Sequence, residues 1–65
     1  MKITINGKSR EVSATTVAAV LAEIGMGEAK VATALNEEFV PATLRGSRRV
    51  SDGDRLEIVT PRQGG

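Results

Sequence analysis

The sequence predicts an α+β domain, a mixed β-sheet with one main helix packed across one face. Three observations predict it. Apolar and polar residues alternate near both ends, in Lys2-Ile3-Thr4-Ile5 and in Arg55-Leu56-Glu57-Ile58-Val59-Thr60, the period of strands with one buried face. Between them Val17, Val20, Leu21 and Ile24 recur at the spacing of a single helical stripe. Turn signals at Asn6-Gly7, Asn36-Glu37-Glu38 and Ser51-Asp52-Gly53-Asp54 cut the remainder into short strands.

Each element follows from local chemistry. Asn6-Gly7 supports a two-residue type I′ turn, because both central positions need positive φ, so the chain returns antiparallel through Lys8 to Val12. That register sets Ile5 opposite Lys8 and Ile3 opposite Arg10, with Val12 on the isoleucine face. Arg10 then falls on the core side, where either its stem lies on apolar surface or a bulge turns it away. Thr16 is placed to cap the helix, alanines 18, 19 and 22 raise its propensity, and Gly25 stops it. Two turns cannot stand alone, so this helix must lie on the sheet.

After a crossover loop, Met26 to Lys30, comes a strand at Val31–Leu35 and a second at Phe39-Val40. Pro41 cannot donate a ladder hydrogen bond, which makes that second strand short and places it at an edge. A single turn around Leu44 ends at Gly46, and Arg48-Arg49-Val50 pairs briefly before the last strand. A terminal strand separated from the first hairpin by a helix pairs beside the first strand, which gives the ubiquitin-like β-grasp. Its last strand is then central, and residues 1–61 form the domain while 62–65 form a flexible tail.

Composition excludes several functions. At 65 residues the chain makes one small domain, near the lower limit for a single unstapled core. It has no cysteine and no histidine, so thiolate chemistry, the usual metal ligand and the usual general base are missing together. No cofactor, no metal and no catalytic activity of its own are expected. A net charge of +1 and a single aromatic residue, Phe39, argue against nucleic-acid binding. No stretch is long and apolar enough to span a bilayer, and Met1 to Ile5 is too short for a signal peptide, so a cytoplasmic monomer is the expectation.

The chemistry that remains lies in Arg62-Gln63-Gly64-Gly65. A terminal glycine pair offers an α-carboxylate on a thin stalk, ionised at neutral pH and inert until activated, for instance as a mixed anhydride with a nucleotide phosphate. Glycine has no Cβ to obstruct a narrow channel. A frayed chain end is the plain alternative.

The chain resembles the ThiS family, the bacterial sulfur carriers of thiamine biosynthesis. The residues that carry the resemblance are Met1 to Gly7, Thr16-Val17 with Val20-Leu21, Ala34-Leu35-Asn36 followed by Val40-Pro41, Asp52-Gly53-Asp54, and Gly64-Gly65. The resemblance implies a protein cosubstrate. A ThiF-type adenylyltransferase uses ATP to adenylate the Gly65 carboxylate, and sulfur from a cysteine desulfurase-derived persulfide replaces AMP to leave a thiocarboxylate. Thiazole synthase of the ThiG type then takes the sulfur. Gly64 would be the slim neighbour; Arg62-Gln63 departs from the apolar residues frequent at those positions in the family.

Two surface features invite a docking role. Alternation places Thr4, Ala32, Ala34 and Val59 on the sheet face away from the helix, as a small apolar patch or only as small residues of a sheet. Arg45, Arg48 and Arg49 engage an acidic partner surface or form a solvated loop. Three other functions share these features: the small subunit of molybdopterin synthase, with the same thiocarboxylate chemistry; a modifier joined to lysines through Gly65; and a β-grasp binding module with no covalent role.

Overall fold

Residues 1–60 are described by the computed structural model. The first hairpin joins β1 (Lys2–Ile5) to β2 (Lys8–Glu11) through a turn with φ of 51° at Asn6 and 82° at Gly7. Both angles are positive, as a type I′ turn requires. The register sets Ile3 opposite Arg10 and Ile5 opposite Lys8 with no bulge. Arg10 needs none, because it stays exposed on the outermost strand. A seven-residue helix is only about 10 Å long, whereas five strands span about 19 Å, so the sheet extends past its cover.

Helix α1 (Val17–Glu23) starts where Thr16 Oγ1 accepts from the Ala19 N–H at 3.1 Å. It ends in a Schellman motif: the Gly25 N–H donates to Ala22 O and the Met26 N–H to Leu21 O, with Gly25 at a φ of 84°. Met26, the residue that closes the motif, packs on the core. Glu23, in the last helical turn, reaches back to accept from the backbone N–H groups of Ser13 and Ala14, tying the helix end to the joint that precedes it.

Strands β3 (Ala32–Leu35) and β4 (Glu38–Val40) form the second hairpin, and β5 (Arg55–Val59) follows a short 3₁₀ turn, Ala42–Leu44. The sheet order is β2-β1-β5-β3-β4, with β1 and β5 parallel and every other pair antiparallel. The last strand is therefore central and β4, stopped by Pro41, is an edge, both as expected. Element ends differ by a residue: Val12, Val31 and Thr60 fall outside their strands, and Glu38 joins β4. Val12 stays buried, and its N–H still bonds Met1 O at 2.8 Å. The brief pairing expected at Arg48–Val50 is a single bridge, Thr16 to Arg49, flanked by Val17 N–H to Arg48 O and Val50 N–H to Thr15 O.

Val17, Val20 and Leu21 of the helix meet Ile3, Leu35, Val40, Leu56 and Ile58 of the sheet in one buried cluster, which Val12, Val31 and Val50 complete. Thr33 is the one buried polar residue among those described. Its hydroxyl donates to Val40 O at 2.9 Å and accepts from Arg45 Nε at 3.1 Å, so its burial leaves no polar group unpaired.

The second hairpin turn places Asn36 at a φ of 52° and Glu37 at 70°. Glutamate in the left-handed region is strained by about 1–2 kcal/mol, because its Cβ crowds the carbonyl. Glycine removes the strain but gives part of it back in chain entropy. The Glu37–Arg55 pair lost with it is 3.6 Å apart and exposed at both ends, so it counts for little. Glu37→Gly is accordingly expected to raise stability by about 0.5–1 kcal/mol, seen as a melting temperature about 2–8 °C higher.

Candidate functional site

β5 carries the chain toward the tail, and it is held from both sides. On one side Thr33 lies opposite Ile58 and Leu35 opposite Leu56; on the other Ile5 pairs with Leu56. Two asparagine side chains add rungs. Asn6 Oδ1 accepts from the Ile58 N–H at 2.8 Å, and Asn6 Nδ2 donates to Ile58 O at 3.1 Å. At the other end Asn36 Oδ1 accepts from the Arg55 N–H at 2.9 Å, and Asn36 Nδ2 donates to Asp54 Oδ1. The sequence marks both residues only as turn formers. Their partners lie 52 and 19 positions away, so no local signal reveals them.

The side chains of β5 alternate as expected, with Leu56 and Ile58 buried and Val59 61% exposed on the opposite face. Val59 lies opposite Ala32, and Ala34 lies opposite Phe39. Phe39, 66% exposed, thus joins Val59, Ala32 and Ala34 on the face away from the helix. It extends the apolar patch to the edge strand. Thr4 shares this face across β5, and Glu57, opposite Ala34, gives the patch a charged border. Sequence reasoning misses the contribution of Phe39, because a three-residue strand is too short for alternation to fix its phase. Its register with β3 fixes it.

Beside the edge strand, Phe39, Val40 and Leu44 line a groove of about 230 Å³ with Glu38, Ser47 and Arg48. The three arginines read together as a basic cluster, either a partner contact or a solvated loop, do different things. Arg45 is turned inward onto Thr33 Oγ1 and Val31 O, and Arg48 pairs with Glu38 at 2.9 Å. Arg49 remains exposed, its backbone in the bridge to Thr16. The structure therefore favours a structural role for Arg45 over partner contact. Among the described residues, no three acidic side chains are grouped to hold a metal ion, and no helix is long and apolar enough to cross a membrane.

The tail residues Arg62, Gln63, Gly64 and Gly65, and the domain boundary placed at residues 61–62, lie outside the described residues. What the structure does supply is their origin: a central strand, clamped at Ile58, with an exposed apolar patch beginning at its last residue. A family model, the ThiS family, matches residues 3–65. The chain belongs to the ThiS family. It aligns over all its length with the whole of a ThiS crystal structure from Geobacter metallireducens, a thiamine biosynthesis protein, with a TM-score of 0.85 and 29% identity. A solution structure of a thiamine biosynthesis protein from the same organism matches with a TM-score of 0.78 and 28% identity, over 100% of this chain and 88% of that one. The β-grasp architecture of the family is thus the one found here. A thiazole synthase of Paramagnetospirillum magneticum is 48% identical over 60 residues, which cover 91% of this chain. The chain spans only 18% of that relative's length.

Proposed function

We propose that the protein is a sulfur carrier of thiamine biosynthesis that works through the carboxyl group of Gly65. A ThiF-type adenylyltransferase would join that carboxylate to AMP from ATP, releasing pyrophosphate. The outer sulfur of a cysteine desulfurase-derived persulfide would displace AMP to give an acyl disulfide. A second thiol would cleave that disulfide to leave the thiocarboxylate and a new disulfide, and thiazole synthase of the ThiG type would receive the sulfur. The observation that carries this reading is the ThiS-family match, which runs through the Gly64-Gly65 pair. The thiamine-biosynthesis and thiazole synthase relatives favour the thiamine pathway over the molybdenum-cofactor pathway. The chain's inventory agrees, because without cysteine or histidine it offers no evident nucleophile–base pair of its own.

Intact mass tests the reading directly. Protein isolated from its native cell, and purified protein incubated with the adenylyltransferase, ATP, a persulfide donor and a thiol reductant, should show one sulfur-for-oxygen exchange, located at Gly65 by fragmentation. A mass unchanged by the complete system overturns the carrier function, and so does a native chain that continues past Gly65.

The docking face belongs to the same proposal. The activating enzyme would sit on the patch of Val59, Ala32, Ala34 and Phe39, because Val59 is the strand residue from which the chain sets out toward the tail. Val59→Arg is expected to weaken binding by about tenfold or more, about 1.4 kcal/mol, by setting a charge against an apolar contact. Because Val59 is mostly exposed, the melting temperature should stay within about 2 °C of wild type. Titration calorimetry against the adenylyltransferase, with thermal unfolding alongside, checks both. Unchanged affinity removes the docking face.

A further inference from the structure

We infer that Asn6 is a positioning residue for the Gly65 acyl group, fixing the point from which the tail starts; this rests on the carrier function proposed above. β1 and β5 run parallel, and their ladder continues past Ile5 with the Asn6 N–H donating to Leu56 O at 3.0 Å. At Asn6 the backbone turns away into the hairpin, so the next main-chain rung toward β5 is lost. The Asn6 carboxamide replaces it. A carboxamide carries the donor and acceptor of a peptide unit, and here it uses both on Ile58, at 3.1 and 2.8 Å. On the other side Thr33 only lies opposite Ile58, whose backbone N–H and C=O both face Asn6, whereas Val59 has its partner, Ala32, on β3. Ile58 is thus the last residue of β5 shown bonded on the β1 side.

The turn alone does not require this side chain, because glycine takes positive φ without one. Asn6→Gly therefore removes the rung and keeps the turn. Asn36→Gly is the matched control: it also sits at positive φ and also bonds β5, but at Arg55, the end away from the tail.

The two variants separate positioning from stability. A carrier that is partly unfolded is simply less abundant as a substrate, which raises KM and leaves kcat intact. A carrier that docks normally but presents its terminus loosely loses kcat, because the acyl oxygen spends less time in line with the α-phosphate. In pyrophosphate exchange with the ThiF-type adenylyltransferase, Asn6→Gly is expected to lower kcat about three- to tenfold with KM within about twofold. Its Ile58 amide should exchange with deuterium about tenfold faster or more, while the Val12 amide keeps its order in the protection ranking. Asn36→Gly should speed exchange at Arg55 and leave kcat unchanged. Should Asn6→Gly fail to fold, Asn6→Asp, which keeps an acceptor for the Ile58 N–H but loses the donor to Ile58 O, is expected to lower kcat in the same direction.

Retained kcat in the Asn6 variant, or an equal loss in the Asn36 variant, overturns the inference. Wild-type protein that supports no pyrophosphate exchange condemns the carrier function instead, and the Ile58 amide rate then still decides whether Asn6 holds the strand end.

Discussion

Val20→Asp is expected to leave no cooperative unfolding transition. Val20 is 0% exposed, on the buried helix stripe that it shares with Val17 and Leu21. An isolated carboxylate there either stays charged without a partner or takes up a proton, and both cost several kcal/mol. At roughly 0.05–0.15 kcal/mol per residue a domain of this size has about 3–10 kcal/mol in total, so the substitution removes most or all of it. Circular dichroism on heating checks the expectation. A sharp transition near that of wild type would mean that this helix face does not meet the sheet.

The same stripe shows what the sequence makes legible. Val17, Val20 and Leu21 are buried as the 3.6-residue period requires, and the Thr16 cap and Gly25 stop act through local preferences of single residues. The first hairpin register and the central place of β5 follow from turn chemistry and layer rules in the same way. The surface is less legible, because it depends on which distant residues meet. Arg45 reads as one of three basic residues in a loop, yet it serves the buried hydroxyl of Thr33, 12 positions earlier. Phe39 and Asn6 gain their roles only through register with β3 and β5.

The candidate site divides along the same line. Its support is legible: Val59 points away from the helix, as its phase against Leu56 and Ile58 dictates. Its chemistry is legible only as residue type, since a glycine pair has no side chain whose partners could reveal a role. What the fold adds is an anchor. A tail that starts after a strand clamped at Ile58 can be gripped and pulled without unfolding the domain, because β5 is bonded to strands on both sides.

That anchor makes chain length decisive, and deletion of Gly65 should abolish adenylation while sparing the fold. Among the described residues the buried cluster runs from Ile3 to Ile58, so the melting temperature should match that of the intact protein within about 1–2 °C. The new terminal carboxylate, however, would sit one residue short of its place, a shortfall of at most ~3.6 Å. Attack on the α-phosphate requires the reacting atoms within about 3–3.5 Å, so the deficit equals the whole approach distance. A docked domain cannot slide to make it up, since the strand that roots the tail is central and fixed. Pyrophosphate exchange with the ThiF-type adenylyltransferase is therefore expected to fall to background for the deletion variant, with binding through the Val59 face still measurable. Exchange at the wild-type rate would show that Gly65 is not the group activated, and the proposed carrier chemistry would fail with it.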